Sequence, residues 1–471
     1  MAHTNLQRRT RSAIERLIEE QRRSGDAKLP TETELTDRLR VGRNTLRTVI
    51  DELAHAGVVE RIQGRGTFIV RTESRLRFSS WVPGEIPSRH AFERMVRTFE
   101  ESADACRVES VVYPYYQYTT RVTREMNAGD GLDVVQIAPY WLQRFHRSGF
   151  LRRLDDLIST GNLTRRYSKD IDSCRIGDEL YALNWGLAPL VLYYNKRVLE
   201  RAGLDPDDPP ATLEDLYRAS VHVNALGQED LRGICLPLDS YEAYVMWLYP
   251  FLRAFGGGFS DSMGNTSINT AENAAALRWL RALNAHGGCG DPKTITDARI
   301  LFATGHVAFI IDGPYGRGFY RTISGLGSDF DDQYGVTTVP VGPSGRSESV
   351  LLAHSLTISS RCADPEAAYA WIEHLTTHEE NARRYFEASG MIPAIRDILH
   401  KPFFYKDPFA SVLIRQIETA TPVAFAHPSF SSALPFTAVA LSEAIIGART
   451  VEDRLAFLDD VVRVSNRVGS A

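Results

Sequence analysis

The chain has 471 residues, too many for one ordinary domain and enough for two or three, and its 43% hydrophobic and 24% charged content is that of a folded globular protein. Residues 1–75 carry fifteen Lys and Arg against eleven Asp and Glu, a net +4, so the rest carries −9 within an overall charge of −5. A basic N-terminal end suits nucleic acid, and the acidic remainder is not expected to lie along it. No run of about eighteen apolar residues is present, which excludes a membrane-spanning helix. The charges spread through the first predicted helix exclude a signal peptide. Cys106, Cys174, Cys235, Cys289 and Cys362 are scattered with no C-x-x-C pair, so neither a zinc site nor a disulfide framework is expected, as suits a reducing cytoplasm.

In chain order, Ile14, Leu17 and Ile18 recur at helical spacing and predict a first amphipathic helix over 5–23. Thr31 with Glu34 forms a capping box that starts a second helix, ending near Arg40. After Val41-Gly42 a third helix runs from Arg43 to about Ala56, burying Leu46, Val49, Ile50 and Leu53, with Gly57 as its left-handed stop. Two β-rich runs, 58–62 and 67–70, flank Gln63-Gly64-Arg65-Gly66 and predict a hairpin wing. In this order the elements make a winged helix-turn-helix for duplex DNA. Its reading residues are Arg43, Asn44, Thr45 and Arg47 at the start of the third helix. Arg spans a guanine edge and Asn an adenine edge, each with two hydrogen bonds. Thr31, Thr45 and the helix N-terminus suit phosphate. In the wing, Gln63 and Arg65 accompany Gly64 and Gly66, which let the backbone approach the sugar-phosphate chain.

Leu29-Pro30-Thr31-Glu32-x-Glu34-Leu35, Val41-x-Arg43-x-Thr45-x-Arg47 and Leu53-x-x-x-Gly57-x-Val59-x-x-x-Gln63-Gly64-x-Gly66-Thr67-Phe68 resemble the GntR family of bacterial transcription regulators over residues 5–71. The resemblance implies a homodimer on a palindromic operator. Two positions depart from the pattern: Arg40 stands where the family often has Gly, and Thr33 where it is often basic.

Beyond a polar junction at 72–77, strand and helix patterns alternate, predicting an α/β sheet. Strands are expected at 78–81, 108–113, 132–137, 190–194 and 307–311, and helices at 91–101, 118–126 and 196–201. Gly129-x-Gly131-Leu132-Asp133-Val134-Val135-Gln136, then Tyr181-Ala182-Leu183-Asn184-Trp185, Leu192-Tyr193-Tyr194-Asn195-Lys196, Gly305 to Pro314 and Gly335 to Pro340 resemble extracellular solute-binding proteins, most of all their carbohydrate-binding branch, over about 77–460. The implied architecture is multidomain: a winged helix-turn-helix at 1–73 and a two-lobed, periplasmic-binding-protein-like α/β domain of type 2 at 77–471. Lobe one is expected at about 77–186 with 349–395, and lobe two at about 187–348 with 396–471.

Ligands of such sheets bind beyond the carboxyl ends of strands. The residues expected there are Trp81, Glu85, Gln136, Tyr140, Trp141, Asn184, Trp185, Asp239, Trp247, Asp312 and Tyr315. Aromatic faces suit the apolar C–H faces of a sugar ring, and carboxylates and amides suit its hydroxyls. Trp247 sits in an apolar helical run and fits the core equally well. Trp279 and Trp371 fit the core, the tyrosines of 113–118 a structural loop or else a roof over the cleft, and His354 a hydrogen-bonded interior position or else the cleft near a crossing strand. No nucleophile elbow, HExxH, Walker loop or EF-hand is present, and no metal or cofactor is expected. The lysines beyond residue 75 lack the Ser-x-x-Lys setting of pyridoxal-phosphate regulators, the enzyme alternative within GntR-like chains. The expected function is a cytoplasmic, non-enzymatic, ligand-responsive DNA-binding regulator sensing a mono- or oligosaccharide. A peptide, polyamine or other non-sugar effector is the alternative.

Overall fold

In the computed structural model, which describes residues 2–24, 28–69, 74–102, 106–129, 131–158, 163, 169–228, 230–260, 266–421 and 428–469, the chain opens with helix α1 (Ala2–Ser24), α2 (Glu32–Leu39) and α3 (Arg43–His55). Ile14, Leu17 and Ile18 of α1 meet Leu35 of α2 and Leu46, Val49, Ile50 and Leu53 of α3 in one core. Thr31 caps α2 as predicted: its hydroxyl accepts from Glu34 N at 3.4 Å, and the Glu34 carboxylate accepts from Thr31 N at 2.8 Å. Gly57 closes α3 at φ 71°. The wing follows as β1 (Val59–Ile62) and β2 (Gly66–Ile69), antiparallel with Glu60 opposite Phe68. Leu29 N donates to Thr67 O at 2.9 Å and adds a third edge to the hairpin. Residues 70–73, including Val70 of the second wing run and the start of the junction, lie outside the described residues.

The chain divides into two compact units, Met1–Arg75 with Ala103–Arg107, and Leu76–Ser102 with Val108–Ala471. The second unit holds two large sheets and a small hairpin. One sheet contains β3 (Ser74–Ser80), β4 (Cys106–Val112), β5 (Val134–Ile137), β8 (Leu183–Pro189) and β13 (Leu351–Ile358) in the order β4-β3-β5-β13-β8, and the hairpin of β6 (Arg175–Ile176) and β7 (Glu179–Leu180) lies between β5 and β8 in the chain. β3 runs parallel to β5, whereas β13 is antiparallel to both β5 and β8. The other contains β9 (Val191–Asn195), β10 (Arg232–Ile234), β11 (Val307–Asp312) and β12 (Tyr334–Thr337) in the order β10-β11-β9-β12. β8, β9, β11 and β13 are buried along their whole length, which is why they read as continuous apolar runs rather than alternating ones. The chain passes from the first sheet to the second between β8 and β9, and returns between β12 and β13. Register shifts between His354 and Ser355, and the bulge falls where β13 meets the cavity described below.

One correction concerns the tyrosines of 113–118. They do not form a structural loop: Pro114 starts a helix at Tyr115 that continues to Ala128.

Arg40 is the only non-glycine at positive φ among the described residues, at φ 52° and ψ 47°. It ends α2 in the left-handed conformation, where its Cβ costs about 1–2 kcal/mol. Arg40→Gly removes that cost at the expense of some unfolded-chain entropy, for a net gain of about 1 kcal/mol. Amide exchange at Leu46, Val49 and Ile50 should slow about fivefold. Unchanged or faster exchange would show that the arginine side chain compensates for its backbone.

Candidate functional site

The first site is the outer face of α3 and the wing. Arg43, Asn44, Arg47, Gln63, Gly64, Arg65 and Gly66 are exposed, whereas Thr45 is buried at 7% exposure and faces the core. The Thr31 hydroxyl is committed to the capping box. Glu32 organises this face, since its carboxylate accepts from Arg47 Nε at 2.9 Å and from Arg61 at 3.1 Å, and Arg61 also reaches Asp51 at 2.8 Å. One carboxylate of α2 thereby fixes α3 against the wing. Solvent-exposed pairs of this kind contribute about 0–1 kcal/mol each, so Arg47 can exchange Glu32 for phosphate at little cost. Arg43 and Arg65 have no side-chain partner among the described residues. Gly64 and Gly66 adopt φ 74° and 116°, which the tight wing turn requires.

The second site is a cavity of about 710 Å³ between the two sheets of the second unit, within the size range of small-molecule sites. Trp81 follows β3 and stands edge-on to Tyr115, Trp141 and His354 at centroid distances of 5.3, 5.6 and 5.0 Å. The Tyr115 and Tyr140 hydroxyls meet beside it. The opposite wall is Tyr244, Trp247 and Ile295, and Tyr116 touches it through the Tyr244 hydroxyl at 3.1 Å. Trp247 Nε1 is buried without an acceptor among the described residues. Tyr315 lies parallel to His354 at 6.4 Å. The Arg299 guanidinium packs over Tyr315 and Phe319 at 5.1 and 4.6 Å, and Asp312 grips it at 2.8 and 2.9 Å.

The electrostatics follow from burial. His354 is held neutral, its pKa lowered to about 3, and its Nδ1 shares a hydrogen bond of 2.5 Å with Tyr385. Burial also raises the Tyr115 and Tyr315 phenols, which stay protonated. Burial alone would lower the Arg299 pKa, but the charge and hydrogen bonds of Asp312 carry it upward. Half-buried Glu85 is pushed up to about 7 by desolvation, with Arg299 pulling the other way. Among the described residues no three His, Cys, Asp or Glu side chains gather as metal ligands.

Of the residues expected in the cleft, Trp81, Glu85, Tyr140, Trp247 and Tyr315 line the cavity. Six others do not and are corrected here. Gln136 is buried in β5, accepting from Ser80 Oγ at 2.5 Å. Asn184 accepts from Ser355 Oγ at 2.6 Å and from the Cys174 thiol at 3.2 Å. Trp185 stacks on Tyr385 at 4.2 Å, and Trp141 backs Trp81 while stacking on Tyr118 at 5.9 Å. Asp239 is exposed and accepts from Ser240 N at 2.6 Å. Asp312 is fully buried beneath Arg299. The reason for Asn184 and Trp185 is strand length: β8 continues to Pro189, so the residue it brings to the cavity is Ala188. Arg299, Tyr244 and Phe319 also line the cavity and were not among the expected residues, whereas Tyr115 and Tyr116 take the roof position open to the tyrosines of 113–118. The signal for Arg299 was available, because it shares the inward face of its helix with Ile295, Ala298 and Phe302.

Residues 94–410 match the bacterial extracellular solute-binding proteins, and residues 6–69 match the gntR family of bacterial regulatory proteins. The chain belongs to the bacterial extracellular solute-binding protein family. Its N-terminal residues form a GntR-family helix-turn-helix domain. The maltodextrin-binding protein of Bacillus subtilis (strain 168) is 23% identical over 69% of this chain and 76% of its own length. The galactooligosaccharide-binding protein of the same organism is 25% identical over 69% and 75%. Among solved structures, a solute-binding protein of an ABC transporter from Thermotoga lettingae TMO, bound with alpha-D-tagatose, superposes with a TM-score of 0.74 at 20% identity, covering 84% of this chain and 99% of that one. No helix among the described residues is long and apolar enough to cross a membrane.

Glu85 gives the cavity a pH signature. Its folded pKa of about 7 lies above the ordinary 4.5, so the folded chain binds the proton more tightly and stability falls as pH rises from about 4.5 to about 7. Unfolding free energies of the wild-type chain and Glu85→Gln, measured across that window, should diverge, with the variant gaining on the wild type toward pH 7. Parallel curves would place the Glu85 carboxylate in water.

Proposed function

We propose that this chain is a ligand-responsive transcription regulator. Its helix-turn-helix unit binds a duplex operator, and its solute-binding unit senses a mono- or oligosaccharide. The observation that carries the reading is a cavity walled by aromatic rings in the same chain as an exposed Arg-Asn helix start. Trp81, Tyr140, Trp247 and Tyr315 offer flat faces for pyranose C–H groups. Glu85 and Arg299 offer directional hydrogen bonds to hydroxyls. The sugars bound by the maltodextrin, galactooligosaccharide and tagatose relatives support the same class. Lobe one is assigned to about 77–186 with 349–395, and lobe two to about 187–348 with 396–471. Ligand closing them shifts operator affinity by its differential interaction with the two states. The regulator works in the cytoplasm as a homodimer on a palindromic site and performs no catalysis. Arg43, Asn44, Arg47, Gln63, Gly64, Arg65 and Gly66 form the DNA surface, with Thr31 and Thr45 supporting it.

A second reading has its own observation. Glu85 among aromatic rings also suits an organic cation such as a polyamine, which ring faces and a carboxylate attract together.

Two measurements test the proposal. A thermal-shift screen of the full chain against maltodextrins, galactooligosaccharides, ketohexoses and polyamines should give a dose-dependent rise with one sugar class, because a native-state ligand stabilises by mass action. Trp81→Ala should weaken that sugar's binding at least tenfold, about 1.4 kcal/mol. A rise with polyamines alone, lost in Glu85→Gln, would replace the sugar by a cation. On an operator selected from random duplex DNA, Arg43→Ala should cost about 1–3 kcal/mol of affinity while sugar binding stays intact. Undiminished DNA affinity at moderate salt would remove α3 from the recognition role.

A further inference from the structure

Two cysteines that lie far apart in sequence come together in the second unit. β10 forms a parallel bridge with the segment after helix Ala271–Gly287, placing Ile234 opposite Gly288. Cys235 and Cys289 are the next residues on the two segments. Adjacent strands lie about 4.8 Å apart, inside the roughly 4.4–6.8 Å between Cα atoms that a disulfide spans. The pairing is clamped from both sides. Asn224 accepts from Gly233 N at 2.8 Å and donates to Gly288 O at 3.1 Å, so one amide ties together the two segments just ahead of the cysteines. Asn284 donates to Gly290 O at 2.9 Å, fixing the backbone just after Cys289. Beyond the cysteines the segments remain joined, with Pro237 bridged to Lys293 and Leu238 N donating to Lys293 O at 2.9 Å.

The two thiols differ as an attacking and a resolving group should. Cys235 is fully buried, and the neighbouring Cys289 together with burial raises the pKa of its thiol. Cys289 is partly exposed. Its pKa is lowered by the neighbouring Cys235 and by the charges of Lys293 and Arg232, against the opposing effects of burial and Asp291. Cys362 is also partly exposed, but burial and Asp133 push its thiol up to about 12. Thiolate character and access decide which cysteine oxidises first.

We propose that Cys289 and Cys235 are a peroxide-oxidisable dithiol that closes to a disulfide beside the effector cavity. The Cys289 thiolate attacks a peroxide oxygen, the O–O bond breaks, and Cys289 becomes a sulfenic acid as hydroxide leaves and takes up a proton. The Cys235 sulfur, giving up its proton, then attacks the Cys289 sulfur and expels the sulfenic oxygen as water. Two thiols are oxidised and one hydrogen peroxide is reduced to two waters. The bond would staple the segments that lead into Tyr244 and Ile295, which line the cavity and are joined by the Ile295 N to Tyr244 Oη hydrogen bond of 3.1 Å.

The test treats the folded full chain with hydrogen peroxide, quenches with N-ethylmaleimide and maps peptides by mass. The expected product is a Cys235–Cys289 linked peptide and an intact chain lighter by two hydrogens, with Cys289 consumed at least about tenfold faster than Cys362. In Cys235→Ser, Cys289 should accumulate as a sulfenic acid captured by dimedone. In Cys289→Ser, Cys235 should stay a thiol. Circular dichroism checks that both variants are folded. Wild-type chain whose Cys235 and Cys289 both remain open to alkylation after peroxide, or in which Cys289 reacts no faster than Cys362, would overturn the proposal.

Discussion

A fully buried carboxylate at the end of β11 sets one half of the cavity. Asp312 takes two hydrogen bonds from Arg299, one from Tyr320 Oη at 2.8 Å and one from Gly313 N at 2.8 Å. Moving a carboxylate and a guanidinium out of water costs several kcal/mol per ion, which attraction offsets only when the remaining lone pairs are also satisfied. Asp312 meets that condition with four donors. The cluster extends to the crossing strand, since Tyr193 of β9 donates to Gly313 O at 2.8 Å. A partnerless Asp312 would cost about 3–5 kcal/mol, so Arg299 is held in place by stability before any ligand arrives. Its guanidinium therefore presents a fixed charge under Tyr315 and Phe319, and the wall is organised in advance of binding.

The other half relies on packing. Trp81 is surrounded edge-on by Tyr115, Tyr118, Trp141 and His354, an arrangement that the ring quadrupoles favour. His354 can sit there only uncharged, and burial keeps it so. The bulge after His354 belongs to the same design, because an unbroken β13 would carry a different residue to the cavity. One lobe thus contributes rigid aromatic surface, and the other contributes aromatic surface with a buried charge pair.

The helix-turn-helix was legible nearly residue by residue, because caps, glycine stops and helical periodicity act locally. Thr31-Glu34, Gly57 and Gly64 each mark a boundary through their own chemistry. The alternation of strands and helices after residue 76 was legible for the same reason. The cavity was legible only in part. Trp81 follows directly on a strand end, Glu85 and Tyr315 come within a few residues of one, and the sequence marks those ends with Pro and Gly. Asn184 and Trp185 misled because β8 is apolar on both faces, so no alternation announces that it runs on to Pro189. Tyr116 and Tyr244 meet only through tertiary folding, across more than a hundred residues. The Cys235–Cys289 pair was hidden in the same way: spacing rules see cysteines near in sequence, whereas this pair is made by strand register.

The distribution of these groups constrains how a ligand could act. A ligand that touches one wall alone binds open and closed states equally and shifts nothing, however tightly it binds. Coupling needs contacts that exist only when Trp81 and Tyr140 on one side and Trp247, Arg299 and Tyr315 on the other engage the same molecule. A small hydroxylated ring between two aromatic walls would meet that need, each face stacking on a different lobe and its rim reaching Glu85 and Arg299. The Tyr116–Tyr244 hydroxyl contact joins the two walls at 3.1 Å. About 5.5 kcal/mol of differential binding is enough to move a two-state equilibrium from one side to the other.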